Sequence, residues 1–326
     1  RINDRVGIRS SYQRAVRAGN IQELYRPART GLFNWADPCG GEGPTLTFEQ
    51  CARTGVTSAQ YGSNALINPA RQYNNVSGGN SDLSPEKSDT YSFGLLLSPE
   101  FMPNLDIAID YFNITVKDAI SNIPEATIHT KCATENDADS CALIKRGNNG
   151  NLWLDGASIT SMDVNLGSIE TSGIDIDIAY SHDIGELGSM SYSVIGTFLS
   201  KYEEVGVPGE AGNDCAGYWD RAVCEVPVPK VRTNFTTTWS TPWDAKLTAK
   251  LRYYGSVDEY TLDNGNVVNG PTTLDAQYNL DIGGTWNYSD QLILRAGVNN
   301  ILDRDPPLVP NGPSGFANGN AYPGQY

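Results

Sequence analysis

The sequence predicts an all-β protein: an antiparallel transmembrane β-barrel fragment of about nine strands, with long loops at one end and short turns at the other. Three observations predict it. Nine segments alternate apolar and polar residues with period two, the signature of strands with two unlike faces. The connections between them alternate long and short without exception. No run approaches the ~18 consecutive apolar residues of a membrane helix. The chain has 326 residues, 39% of them hydrophobic, and a mean hydropathy of −0.37. That excludes helical spans but not a membrane barrel, whose strands hide apolar residues among polar ones.

The nine segments are residues 5–17, 89–98, 104–118, 167–181, 189–203, 230–241, 245–257, 272–287 and 291–303. In the second, Tyr91, Phe93, Leu95 and Leu97 share one face and Thr90, Ser92 and Gly94 the other. In the third, Leu105, Ile107, Ile109 and Tyr111 oppose Asp106, Ala108 and Asp110. In the fourth, Ile174, Ile176, Ile178 and Tyr180 oppose Asp175 and Asp177. Leu247, Ala249, Leu251 and Tyr253 oppose Lys246, Lys250 and Arg252 in the seventh, and the last two follow suit. The second face carries charges in midstrand, which predicts a wet surface. Aromatic residues gather near strand ends on the apolar face, among them Tyr91, Tyr111, Tyr180, Trp239, Tyr253 and Trp286. Such rings suit a bilayer interface as well as ordinary strands. Helix signals are weak; "NIQELYRPA", with Asn20 as N-cap, predicts one short turn.

The connections span 18–88, 99–103, 119–166, 182–188, 204–229, 242–244, 258–271 and 288–290. The short ones carry turn residues: "PEFMP", "HDIGELG", "PWD", "YSD". A globular sandwich has no reason to gather every long loop at one end. A transmembrane barrel does, with short periplasmic turns and long loops outside. Hydrocarbon offers no water to satisfy backbone N–H and C=O groups, so such a sheet must close on itself. The chain opens in strand-like alternation and ends in loop-like sequence, which predicts a fragment of something longer. Alone, with unpaired edges at both ends, it is expected to aggregate or to need detergent.

Six cysteines fall into three close pairs: Cys39 with Cys51, Cys132 with Cys141, and Cys215 with Cys224. All three lie in long connections, which predicts disulfides in an oxidising compartment. With only two histidines, His129 and His182, and no CxxC spacing, a metal centre is not expected. The histidines are read as solvated, in a loop and a turn.

Net charge is −15, which argues against nucleic acid as a partner. There is no GxSxG, HExxH or P-loop, so no enzyme is predicted. Glu203 with Glu204, and Asp175 with Asp177, are carboxylate pairs, but their placement predicts a loop edge and a wet wall rather than glycoside hydrolysis. "ENDADS" (135–140) is oxygen-rich but lacks the glycine and distant glutamate of an EF-hand. The residues point to binding instead. Trp35, Tyr61, Tyr73, Trp153, Tyr218 and Trp219 are candidate extracellular ligand contacts, with loop self-packing as the alternative for each. Arg5, Arg9, Arg17, Asp110, Asp175, Asp177, Lys250 and Arg252 are candidate lumen residues that hydrate the wall or hold a domain inside it.

Three stretches carry a family resemblance. "SSYQRAVRAGNIQELYRP" (10–27) resembles a strand and loop start of the TonB-dependent outer-membrane receptors of Gram-negative bacteria, with Gly19 where proline is usual. "GGNSDLSPEKSDTYSFGLLLSPEFMPNLDIAIDYFNITVKDAI" (78–120) resembles the family's strand–turn–strand pattern. "LILRAGVNNILDRDPP" (292–307) resembles its near-terminal signature. The resemblance implies a 22-stranded barrel, of which residues 1–326 supply the last third before the final strand. It also implies an N-terminal plug domain, a TonB box that engages the TonB complex, an outer-membrane lipid setting and no resident cofactor. The expected function is TonB-energised uptake of a scarce nutrient: a ferric siderophore, an oligosaccharide or another large solute. The alternatives are a passive porin-like or structural barrel, and a secreted β-rich adhesin or glycan-binding module.

Overall fold

The structure is a computed structural model. It describes residues 3, 5–206, 212–220, 223–224, 226–263, 266–305 and 307, the side chains of 262–271 excepted. Nine strands form one antiparallel wall in strict sequence order: β1 (Val6–Arg17), β2 (Glu86–Leu97), β3 (Leu105–Asn122), β4 (Asp163–Asp183), β5 (Ser189–Val205), β6 (Val231–Ser240), β7 (Ala245–Tyr254), β8 (Gln277–Ser289) and β9 (Leu292–Val298). All nine expected strands are present. The longest ones overrun their predicted limits at the long-loop end, where β3 reaches Asn122 and β4 begins at Asp163. The ninth segment, expected over 291–303, is a strand only over Leu292–Val298, and two others are shorter than predicted because the apparent continuation belongs to another sheet. Val257 starts a loop strand (Val257–Asp263), and Thr272 and Thr273 lie in its partner (Asn266–Leu274).

Register aligns the predicted faces across the whole wall. Ile8 meets Leu95, Leu95 meets Ile109, and Ile109 meets Ile176. Further along, Val194 meets Phe235, Phe235 meets Leu251, Leu251 meets Leu280, and Ile282 meets Val298. This face is largely bare, with Leu95, Val194, Leu251 and Leu280 half-buried among their neighbours. Ile8, Tyr12, Phe93, Ile109, Ile176, Phe198, Leu247, Ile282 and Leu294 are all exposed. An apolar sheet face this broad needs something apolar against it. Aromatic residues collect at its short-turn end, where Tyr180 stacks on Tyr192 and Trp239 meets Trp243 edge-on. Tyr91 and Tyr111 lie in midstrand instead.

The short connections, 98–104, 184–188, 241–244 and 290–291, are tight turns. Asn104 and Asp244 take the left-handed conformation there (φ 63° and 57°), which short polar side chains tolerate. The long connections are folded. Residues 18–85 and 123–162 share a four-stranded sheet ordered Arg29–Asn34, Gln72–Ser77, Ser158–Thr160, Ile144–Lys145. Tyr218–Trp219, Val257–Asp263 and Asn266–Leu274, from the next two long connections, form a separate three-stranded sheet in which Tyr218–Trp219 runs parallel to Val257–Asp263. The long loops therefore pair into two modules.

The turn expected near Asn20 is a helix, Ile21–Tyr25. Asn20 and Glu23 cap it reciprocally, satisfying otherwise orphaned N–H groups. Further short α-helices, Phe48–Arg53, Glu125–Thr130 and Ala138–Ala142, lie in loops where the sequence predicts no helix.

Candidate functional site

Two surfaces offer chemistry: the paired loops and the polar face of the wall. In the first loop module, Tyr73, Ile128, Leu152 and Ile159 form a closed core, with Phe33, Trp35 and Trp153 packed around it. Their rings meet tilted or edge-on, Trp35 and Trp153 each against Tyr73. Two disulfides flank this core. Cys39–Cys51 lies within the first loop and Cys132–Cys141 within the second.

Beside the core sits a fully buried ion pair between the loops. Arg146 Nη1 donates to Asp37 Oδ2 at 2.6 Å, with side chains 3% and 0% exposed. The guanidinium also donates to the Thr54 carbonyl, the Thr54 hydroxyl and the Gly150 carbonyl. His129 Nε2 lies 3.1 Å from Arg146 Nη2. Burying two charges is tolerable only when their remaining hydrogen-bonding capacity is filled, and here Arg146 is engaged on every side. His129 is buried, not solvated as expected. Its pKa is pushed down to about 4, mainly by burial; Asp37 opposes the shift and Arg146 adds to it. A neutral imidazole therefore sits against the cation.

Asp37, Cys39 and His129 bring an oxygen, a sulfur and a nitrogen within 4.8 Å of one another. That set does not fit a metal ion. The sulfur is bonded to Cys51 and the carboxylate is matched by Arg146, whereas a metal takes a thiolate and uncommitted anions. In "ENDADS", Asp137 caps the Ala138–Ala142 helix by accepting from Ser140 N; the Ser140 hydroxyl, and then its backbone N–H, hold the Asp137 carboxyl below the usual carboxylate range.

The six candidate ligand rings separate. Tyr73 and Trp219 are 1% and 3% exposed, so self-packing describes both, and neither can meet a ligand in this arrangement. Trp35, Tyr61, Trp153 and Tyr218 are half-buried. Tyr61 is pinned by donating to the Leu46 carbonyl, and Tyr218 packs edge-on against Tyr260. The third disulfide, Cys215–Cys224, belongs to the second module's core. Among the described residues no cysteine is free.

The candidate lumen residues share the polar face of the wall. Arg9 and Asp110 form an ion pair that reaches across Gly94 of the intervening strand. Glycine leaves room for the pair, since a Cβ at position 94 would run into the Asp110 carboxylate and the Arg9 side chain and push them aside. Asp175 lies opposite Asp110 and accepts from Thr197 Oγ1 at 2.6 Å. Asp177 borders the same hollow, of about 640 Å³, with Arg9 and Ser92. Arg252 pairs with Asp281 at 2.9 Å, and Lys250 stands opposite Asp281 in register. Arg17 marks the long-loop rim, bridging Glu86 and Glu23. Arg5 sits at the other end, paired with Glu100 in a short turn.

A wall in strict sequence order, one bare apolar face, one charged face and all long loops at one end describe one kind of molecule. A family model for the β-barrel of TonB-dependent-receptor-like proteins matches residues 1–301. The chain belongs to the TonB-dependent receptor family. Its fold is accordingly an antiparallel transmembrane β-barrel, seen here as nine strands of the wall. The ferric enterobactin receptor of Pseudomonas aeruginosa, solved as a mutant in complex with enterobactin, is similar over 93% of this chain and 34% of its own, at 16% identity and TM-score 0.54. The siderophore receptor PirA of Acinetobacter baumannii is similar over 93% of this chain and 36% of its own, at 13% identity and TM-score 0.55. At such identities the likeness shows the fold. The chain spans about a third of the length of these receptors. No curated protein matches the sequence.

Proposed function

We propose that this chain is the wall and extracellular loops of a Gram-negative outer-membrane receptor that takes up a scarce, large solute using energy delivered through TonB. The observation that carries the reading is the pairing of an uncovered apolar face with a charged inner face on a TonB-dependent-receptor barrel wall. No chemistry on the solute is involved. Solute bound at the loops shifts the conformations of loops and plug, and TonB engages the plug side in the periplasm. The partners are outer-membrane lipid, a plug domain in the lumen, the TonB complex and the solute.

A ferric siderophore is the leading solute class, because the similar structures include a ferric enterobactin receptor and a siderophore receptor. An oligosaccharide or another large solute is the second. Trp35, Tyr61, Trp153 and Tyr218 are the candidate ring contacts that keep part of their surface in the long loops. The test is uptake of radiolabelled ferric chelates and of oligosaccharides by cells with and without the gene, each with and without TonB. Uptake of one class should require both. Uptake that survives loss of TonB supports a passive barrel instead. Recovery of the complete protein as a detergent-free soluble species supports a secreted module.

A further inference from the structure

A pocket lies where the second loop module meets the polar face of the wall. It holds about 350 Å³ and is lined by Thr197, Leu199 and Tyr202 of β5, Arg232 of β6, and the strap 226–229 just before β6. Thr197 also borders the hollow with Asp110, which places the pocket on the polar face. A bulge in β5 builds its floor. Register jumps from Gly173–Leu199 to Ser172–Lys201, so Ser200 is left unopposed. One extra residue reverses the alternation beyond it. Tyr202 therefore joins Thr197 and Leu199, while Lys201 turns to the other face and pairs with Glu170 at 2.8 Å.

The back of the pocket is the module's own core. Val228 packs with Cys215, Cys224 and Tyr260, and Leu199 and Tyr202 pack against the same cluster. The Cys215–Cys224 disulfide holds the strap, helped by two backbone bonds, from Gly217 N to the Val228 carbonyl and from Val228 N to the Tyr218 carbonyl. Pro227 is buried, whereas Val226 is 51% exposed and forms the rim.

This lining is poor in free donors. Pro227 and Pro229 have no N–H, and those of Val226 and Val228 donate to the Cys224 and Tyr218 carbonyls. The Thr197 hydroxyl donates to Asp175 at 2.6 Å and the Tyr202 hydroxyl to Glu204 at 2.8 Å. Arg232 is the exception. It is exposed, its Cζ lies 5.4 Å from the Tyr254 ring centroid, and among the described residues it forms no ion pair. A neutral sugar needs several donors and acceptors, which this lining does not offer. Leu199, Pro227 and Val228 instead match an apolar body, and the guanidinium matches one anionic group. A charge-assisted bond is the strong kind, and apolar walls strengthen it further. The volume is at the small end for ligand pockets, so it takes one arm of a large solute.

We infer that this pocket is a solute subsite for an apolar arm that carries a single anionic group, with Arg232 as the anchor. The inference rests on the uptake reading above and narrows it to solutes with acidic apolar arms, against neutral oligosaccharides.

The test uses the complete receptor, extracted from outer membranes. The probe is para-fluorobenzoate, with uncharged para-fluorobenzamide as its control, and fluorine NMR follows the binding of both. The variants are Arg232→Gln, Val226→Trp, which fills the rim, and Lys246→Gln, which removes a cation elsewhere on the polar face. Heat-modifiable migration on gels verifies a folded barrel in each. The natural protein should bind the benzoate about tenfold more tightly than the benzamide. Arg232→Gln should erase that preference, Val226→Trp should abolish binding of both probes, and Lys246→Gln should change neither. Equal binding of the two probes, or a preference that survives Arg232→Gln, overturns the inference and leaves the uptake reading intact. A preference lost equally in Lys246→Gln marks diffuse attraction to the wall and overturns it too. Uptake that needs no TonB, with probe binding as expected, overturns the uptake reading alone.

Discussion

The wall and the first loop module are built on opposite principles. The wall has almost no interior: its large residues, from Ile8 to Val298, face outward and lie largely bare. Its order comes from ladders of backbone hydrogen bonds between neighbours in sequence. The loop module has the interior of a small globular protein, with Tyr73, Ile128, Leu152 and Ile159 at 1% exposure or less. Its order comes from residues brought together over long separations, such as Asp37 with Arg146 and Asn75 with Glu125. The wall therefore depends on its solvent, whereas the module depends on its own core, two disulfides and one buried ion pair. Perturbations should separate the two.

The largest separation is expected from Arg146→Met. It leaves Asp37 buried without a counter-charge, which costs about 3–5 kcal/mol. Hydrogen exchange should rise throughout Gln72–Ser77 and Glu125–Thr130 while β3 to β5 keep their protection. Acid gives the next effect. His129 has a pKa of about 4 in the folded module and about 6.5 when unfolded. The unfolded module thus binds the extra proton in that window, so stability falls as pH drops from 6.5 towards 4, by on the order of 3 kcal/mol in full. His129→Gln should flatten this dependence, as followed by Trp fluorescence of the module; an unchanged pH profile would clear His129 of the role.

A smaller step comes from opening Cys132–Cys141 by double change to Ala. Closing a loop across nine residues of separation contributes about 2–3 kcal/mol in the chain-entropy account. The loss should be confined to the module, and heat-modifiable migration of the barrel should persist. On the wall, Ile176→Lys should cost about 2–4 kcal/mol if the residue lies near the bilayer midplane. The neighbouring Asp177→Asn should stay within about 0.5 kcal/mol. Equal effects at 176 and 177 would erase the distinction between the two faces.

The same contrast decides what the sequence reveals. Period two is a local signal, so all nine strands, their order and both faces are visible in runs such as "IDIDIAY". Strand ends are less visible. Val257 and Thr272 continue the alternation into a separate loop sheet, and nothing local marks the change of partner. The three cysteine pairs are legible from their proximity. The module core is not, because aromatic residues in polar loops look like exposed binding groups until their partners are known. Tyr73 and Trp219 read as surface groups for that reason. Arg146 carries no signal at all: "LIKRGNNG" reads as an ordinary polar loop, and its partner Asp37 is 109 residues away. His129 escapes likewise, its burial being set by Trp35 and Asp37 from the other loop.

The central claim is that one face of this wall meets lipid and the other meets water. Nitroxide labels placed one at a time along 174–179 of the receptor in bilayers test it most directly. Labels at Ile174, Ile176 and Ile178 should collide with oxygen, which partitions into lipid, and labels at Asp175, Asp177 and Ala179 should not. A water-soluble nickel chelate should give the opposite phase on any position it reaches. Uniform access of the chelate to both sets, with no period of two, would contradict the account.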